Sequence, residues 1–146
     1  MIVVGFDHWQ TISFAIGERQ RESLKELNIV IAEDSELFRN VLQQTLSDID
    51  GFNIIGTVAN GVDAVRVVKE LKPHVLILDI TMPIKNGIEV LKEIREEDSS
   101  PVVIMFTADP DPFVRKLCLE TGARYFLNKF QVVELIRVCK LELLTR

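Results

Sequence analysis

Val75-Leu76-Ile77-Leu78-Asp79-Ile80-Thr81-Met82-Pro83-Ile84-Lys85-Asn86-Gly87 is the stretch on which the fold turns. It opens with four consecutive apolar residues, too few for a helix and without the alternation of a half-solvated strand. That is the signature of a strand buried on both faces of a parallel sheet. Pro73 breaks the chain before it and Asn86-Gly87 after it. A carboxylate, Asp79, follows the run directly.

Similar runs lie on either side: Ile29-Val30-Ile31-Ala32 and Val102-Val103-Ile104-Met105-Phe106, with weaker ones at Phe52-Asn53-Ile54-Ile55 and Tyr125-Phe126-Leu127. Between them apolar residues recur at steps of three and four, the period of one-faced helices. The stripes are Phe38, Val41, Leu42, Leu46, Ile49; Val62, Val65, Val68, Leu71; Ile88, Leu91, Ile94; Val114, Leu117, Cys118; and Val132, Leu135, Ile136, Cys139, Leu143. Asp50-Gly51, Asn60-Gly61, Ser99-Ser100-Pro101, Asp109-Pro110 and Thr121-Gly122 fall in the gaps. The order βαβαβαβαβα predicts an α/β fold, a doubly wound five-stranded parallel sheet with helices on both faces.

Residues 1–27 stand outside this alternation and are read as an N-terminal extension to a domain over 28–146. Ile2-Val3-Val4 fits a strand, and Phe6, Trp9, Ile12 and Ile16 fit a helical stripe as well as Ile12, Phe14 and Ile16 fit a strand. Glu18 to Leu27 reads as a charged helix leading into the first strand. The apolar stripe marks either local packing or a homodimer contact, since surplus exposed apolar surface usually marks an interface.

Twenty-two acids against 17 bases leave a net charge of −5, so no basic excess points to a nucleic-acid partner. No apolar run approaches the length of a membrane span and the amino terminus has no signal-peptide pattern, so the chain reads as cytoplasmic. Cys118 and Cys139 lie among apolar residues without metal or redox spacing and read as buried reduced thiols. His74 and His8 read as solvated loop residues.

In open α/β sheets ligands bind beyond the carboxyl ends of the strands. Those ends carry Glu33-Asp34, Asp79, Thr107 and Asn128-Lys129. Three acids brought together repel by roughly 4 kcal/mol per pair at 4 Å and an effective dielectric near 20. One lysine cannot offset that, whereas Mg²⁺ takes one or two carboxylates and shares oxygens with a phosphoryl group. Asp79, alone on its turn, is the candidate nucleophile, Glu33 and Asp34 are candidate metal ligands, and Thr107 and Lys129 are placed to meet phosphoryl oxygens.

Together, Glu33-Asp34, the segment Asp79 to Gly87, Thr107-Ala108 and Lys129 resemble the receiver domain of two-component response regulators, from about Asn28 to the C-terminus. The resemblance implies the CheY-like, flavodoxin-like strand order 2-1-3-4-5. It implies phosphoryl transfer to Asp79 from a histidine kinase or phosphotransfer protein, with no catalysis beyond the domain's own phosphorylation and dephosphorylation. It implies Mg²⁺ held by Glu33, Asp34, Asp79 and the backbone carbonyl of Thr81. Thr107 would swing toward the acyl phosphate, Lys129 would pair with it, and Phe126, often Tyr in the family, would couple that change to a downstream protein target. Thr81 and Asp109 match the positions that tune dephosphorylation. The family's common Lys-Pro is Lys129-Phe130 here, so a trans peptide is expected, a cis bond before a non-proline residue costing about 2.5–4 kcal/mol.

Because the chain stops soon after the fifth helix, output is expected through protein contact and not through an attached DNA-binding module. A phosphorylation-independent interaction scaffold is the alternative, opposed by the intact acid, hydroxyl and lysine set. An aspartyl phosphohydrolase would carry a second acid two residues after the nucleophile, where Thr81 stands. A dinucleotide or flavin module would want glycines and free amides where Glu33-Asp34-Ser35-Glu36 stands.

Overall fold

The apolar runs become interior strands. A computed structural model describes residues 25–108 and 111–146. Within them β1 (Leu27–Ala32), α1 (Glu36–Ser47), β2 (Phe52–Val58), α2 (Gly61–Leu71), β3 (Val75–Leu78), α3 (Gly87–Arg95), β4 (Val102–Thr107), α4 (Pro112–Thr121), β5 (Tyr125–Asn128) and α5 (Val132–Leu144) follow one another. The pairings are parallel and the order is β2-β1-β3-β4-β5, as the family resemblance implies.

Alternate residues of each strand point to opposite faces, and each face has its own core. On one, Val30, Ala32, Leu76, Leu78, Val103 and Met105 meet α2, α3 and α4. On the other, Ile29, Ile31, Ile77, Ile104 and Phe106 meet Leu42 and Leu46 of α1 and Leu135, Val138 and Cys139 of α5. Burial on both sides is why these strands carry no polar alternation. At about 1.5–3 kcal/mol per buried aliphatic side chain, this packing, not strand propensity, stabilises the sheet.

Several expectations need correction. Val41, Val62, Leu71 and Leu117 are exposed, although the stripes counted them as inward. In α2 Val65 and Val68 are buried as expected, and Ala64 and Val67 complete the buried face in place of Val62 and Leu71. The helix is apolar over a wide arc, and contact at its first residue sets its rotation: a Cβ on Gly61 would lie 1.9 Å from the Lys85 carbonyl oxygen. The expected helix over Glu18–Leu27 does not reach its end. Lys25 and Glu26 are non-helical and Leu27 opens β1, because its buried side chain joins the core and its N–H donates to Gly51 O at 2.7 Å. The rest of that expectation, the reading of residues 1–24 and their dimer contact, and Asp109 lie outside the described residues.

The described residues contain no cis peptide bond, so Lys129–Phe130 is trans as expected. Both cysteines are buried free thiols; burial pushes the Cys139 thiol up to about 12. His74 is more than a solvated loop residue: its Nδ1 accepts a hydrogen bond from Asn28 N–H at 2.8 Å and its own N–H donates to Asn28 O, tying the start of β3 to β1. No helix among the described residues is long and apolar enough to cross a membrane.

Candidate functional site

Because the five strands are parallel, their carboxyl ends share one edge. Backbone hydrogen bonds continue past the strand ends and fix the residues that follow. Glu33 N–H donates to Val58 O at 3.0 Å, Asp79 N–H to Ala32 O at 3.0 Å, and Lys129 N–H to Thr107 O at 2.9 Å. Carboxylate oxygens of Glu33, Asp34 and Asp79 lie within 4.8 Å of one another. Glu33 and Asp79 are 2% and 4% exposed, while Asp34 stands open to solvent. Thr107 is buried at the end of β4, on the same sheet edge, and its carbonyl oxygen accepts the Lys129 N–H.

Lys129 reaches into the cluster. Its Nζ lies 2.7 Å from Glu33 Oε2 and 3.2 Å from Asp79 Oδ2. The remaining oxygens are also engaged: Ser35 N–H donates to Glu33 Oε1 at 3.1 Å and Ile80 N–H to Asp79 Oδ1 at 2.8 Å. Burial pushes the carboxyls of Glu33 and Asp79 above their ordinary values, against the pull of Lys129. Burial alone would lower Lys129, yet its hydrogen bond to Glu33 and the charges of Asp79 and Glu33 hold it above its ordinary value. The ammonium therefore stays charged, and the site retains an excess of negative charge.

The loop from β3 to α3 is built around this geometry. A Cβ on Gly87 would lie 2.1 Å from Asp79 O, and Gly87 N–H donates to Ile80 O at 2.7 Å, so only glycine lets the loop close against the acid. Asn86 and Glu89 form a capping box that starts α3 at that point. Ile84 has φ 72° and Lys85 N–H donates to Pro83 O at 2.8 Å, a tight turn that strains a β-branched residue. Thr81, two residues after Asp79, is exposed in this loop. The Lys85 ammonium pairs with Glu93 of α3.

Phe126 is 9% exposed, turned into the core shared with α2, α3 and α4 and paired in register with Met105. Two contacts escaped the strand-end reading. Arg39 Nη1 donates to Glu33 O at 2.7 Å, anchoring α1 to the acidic pair. The Phe38 ring lies under Lys129, 4.9 Å from Nζ to the centroid. A signal for both existed: residues one turn beyond Asp34 on α1 face back toward the acids.

The donor set consists of oxygens alone, carries three formal negative charges against one ammonium, and offers no nitrogen or sulfur. It fits a hard divalent cation such as Mg²⁺ and not the mixed ligands of zinc.

Residues 29–139 match the model of the response regulator receiver domain. Chemotaxis protein CheY of Halobacterium salinarum is 36% identical over 101 residues, 69% of this chain and 82% of that protein. A protein-glutamate methylesterase/protein-glutamine glutaminase of Bacillus licheniformis is 36% identical over 104 residues, covering 70% of this chain and 29% of that protein. This chain thus spans most of the first and less than a third of the second. Among solved structures, the CheX–CheY–BeF3–Mg²⁺ complex of Borrelia burgdorferi aligns at TM-score 0.70 and 35% identity over 79% of this chain and 88% of that one. A DNA-binding response regulator of the LuxR family from Staphylococcus aureus aligns at 0.76 and 30% over 80% and 98%. A receiver-family match across 111 residues that include every acid of the cluster and Lys129, on a sheet of the same strand order, leaves one conclusion: this chain belongs to the response regulator receiver domain family, whose members act in two-component signalling.

Proposed function

We propose that this domain accepts a phosphoryl group on Asp79 from a histidine kinase or phosphotransfer protein and reports its state through contact with a downstream protein. The observation that carries the reading is the convergence of Glu33, Asp34 and Asp79 within 4.8 Å, with the Lys129 ammonium bridging Glu33 and Asp79. That the related Borrelia structure holds Mg²⁺ together with BeF3 supports the same chemistry here. The reading places the domain in the cytoplasm.

Glu33, Asp34, Asp79 and the backbone carbonyl of Thr81 would hold Mg²⁺, which when bound neutralises charge and shares oxygens with the phosphoryl group. An Asp79 carboxylate oxygen forms the new P–O bond as the P–N bond to the donor imidazole breaks, and the electron pair leaves with the imidazole. Asp79 enters as a carboxylate, so no separate base is needed. The Lys129 ammonium leaves its carboxylate partners for a phosphoryl oxygen and keeps its proton. Thr107 turns its hydroxyl toward the acyl phosphate. The inward or outward rotamer of Phe126, buried here, couples that change to the face made by α4, β5 and α5. Water later hydrolyses the acyl phosphate, at a rate tuned by Thr81, two residues after Asp79 in the exposed loop. The domain thereby catalyses its own phosphorylation and dephosphorylation and no other reaction.

The test is intact-protein mass after incubation with acetyl phosphate, with and without Mg²⁺, on wild type and Asp79→Asn. A Mg²⁺-dependent gain of one phosphoryl group in wild type alone is expected. No gain with any donor, in a protein that still binds partners, would replace this reading with the phosphorylation-independent scaffold.

A further inference from the structure

We infer that Phe38 is a positioning residue for Lys129: its ring holds the ammonium at the acceptor site through a cation–π contact while the carboxylates change partners. The inference rests on the reading that Lys129 meets the phosphoryl group on Asp79.

Three of the described residues hold the ammonium: Glu33, Asp79 and the Phe38 ring, at 2.7, 3.2 and 4.9 Å. The first two are the carboxylates that the chemistry requires for other duties. When they are engaged elsewhere, the ring is the one neighbour of the three that keeps its hold, because it offers a fixed negative face and no exchangeable charge.

The ring is itself held on several sides. Phe38 stacks on Phe106 with centroids 5.9 Å apart and planes 29° apart, and Phe106 directly precedes Thr107. Its backbone N–H is capped by Ser35 Oγ at 3.3 Å, and the adjacent Arg39 is tied to Glu33 O. A rigid aromatic stack thus joins the strand bearing Thr107 to the side chain of Lys129.

Lys129 needs such a partner in this chain. The residue after it is Phe130, 90% exposed, so its side chain packs nothing against the loop. Hydrogen bonds among Asn128, Phe130 and Gln131 shape the backbone turn, but they leave the four rotatable bonds of the lysine side chain unconstrained.

The competing explanation is that Phe38 merely fills space against Phe106. Fluorination separates the two, since it drains the negative face of the ring and leaves its shape nearly unchanged. The full chain would carry phenylalanine or its mono-, di- and trifluoro analogues at position 38, beside Phe38→Leu and Phe38→Trp. Three quantities would be read: the initial rate of phosphoryl gain from acetyl phosphate, the melting temperature, and the NMR shift of the Lys129 ε-methylene protons. In the reaction the Asp79 oxygen forms the P–O bond as the bond to acetate breaks with its electron pair, and Lys129 donates a hydrogen bond throughout.

The expected result is a rate that falls stepwise with fluorination at constant melting temperature, reaching about fivefold for the trifluoro analogue and Phe38→Leu. Phe38→Trp should retain the rate, and the ring-current shift of Lys129 should vanish in Phe38→Leu. A flat rate across the fluorine series in a wild type that does phosphorylate would overturn the inference and leave the function standing. If wild type gains no phosphoryl group, the functional reading fails instead. The NMR arm needs no phosphorylation, and unshifted ε-methylene protons in wild type would overturn the cation–π contact by themselves.

Discussion

Replacing Asp79 with Asn should abolish phosphorylation and, in metal-free buffer, make the domain more stable. Glu33 and Asp79, with oxygens inside 4.8 Å, repel by about 3.5 kcal/mol at an effective dielectric near 20. The exposed Asp34, screened by water, adds about 1 kcal/mol. Against this, Lys129 at 3.2 Å attracts Asp79 by about 5 kcal/mol. The charge interactions therefore nearly cancel, and the deciding contribution is the dehydration of a carboxylate that is 4% exposed, an effective cost of several kcal/mol. Its hydrogen bond from Ile80 offsets part of that cost, and an Asn side-chain oxygen keeps this bond. Lys129 is not orphaned, because Glu33 remains at 2.7 Å. The net gain is about 2 kcal/mol, or roughly 6 °C in melting temperature for a domain of this size. The pH dependence has a definite sign. Burial raises the Asp79 carboxyl above its ordinary 3.8, so its stabilising contribution is complete below that value and is lost as pH rises through the raised folded value. The Asn variant lacks that loss, so its advantage should appear above that range and disappear in acid. Differential scanning calorimetry in EDTA from pH 3 to 8 measures it, and Mg²⁺ should narrow the gap by stabilising wild type more. An unchanged or lower melting temperature for the variant at pH 7 without metal would refute the reasoning.

Two further perturbations probe the scaffold. Gly87→Ala forces a Cβ to within 2.1 Å of the Asp79 carbonyl oxygen, so chemical denaturation should show a loss of about 3 kcal/mol, and Mg²⁺ titration a weaker affinity because the loop bearing Asp79 shifts. His74→Ala removes the acceptor for Asn28 N–H and should cost about 1 kcal/mol at pH 8. Burial, with the nearby Arg146 charge, holds His74 below its ordinary 6.5, so its contribution is complete above that value and is lost as pH falls through the folded value. The stability difference between wild type and His74→Ala should accordingly shrink below pH 6.5, and a difference independent of pH would contradict this role.

The order of elements was legible from residues alone, since four or five apolar residues in a row between breakers have few other uses than a buried parallel strand. Asp79, Thr107 and the Glu33-Asp34 pair were legible for a related reason: a polar residue directly after such a run must lie at the sheet's carboxyl edge. Lys129 was legible from its place two residues beyond Leu127. Strand order was not derivable from the pattern and came from resemblance, because periodicity records which faces are buried and not which neighbours bury them.

The tertiary structure decided the rest. Val62 and Leu71 occupy helical positions as apolar as those of Val65 and Val68, yet the approach of Gly61 to Lys85 turns them outward. Asn86-Gly87 read as a chain break, and only the fold shows that its glycine makes room for the Asp79 carbonyl. Phe38 belonged to an apolar stripe, and its position beneath Lys129, ninety-one residues away in the chain, depends on α1 and β5 meeting at one edge. Sequence determines local period and the chemistry available at each strand end, because both act over a few residues. Rotation of helices, close approach of backbones and the partner of a given charge depend on packing between segments distant in the chain, and only the assembled fold specifies them.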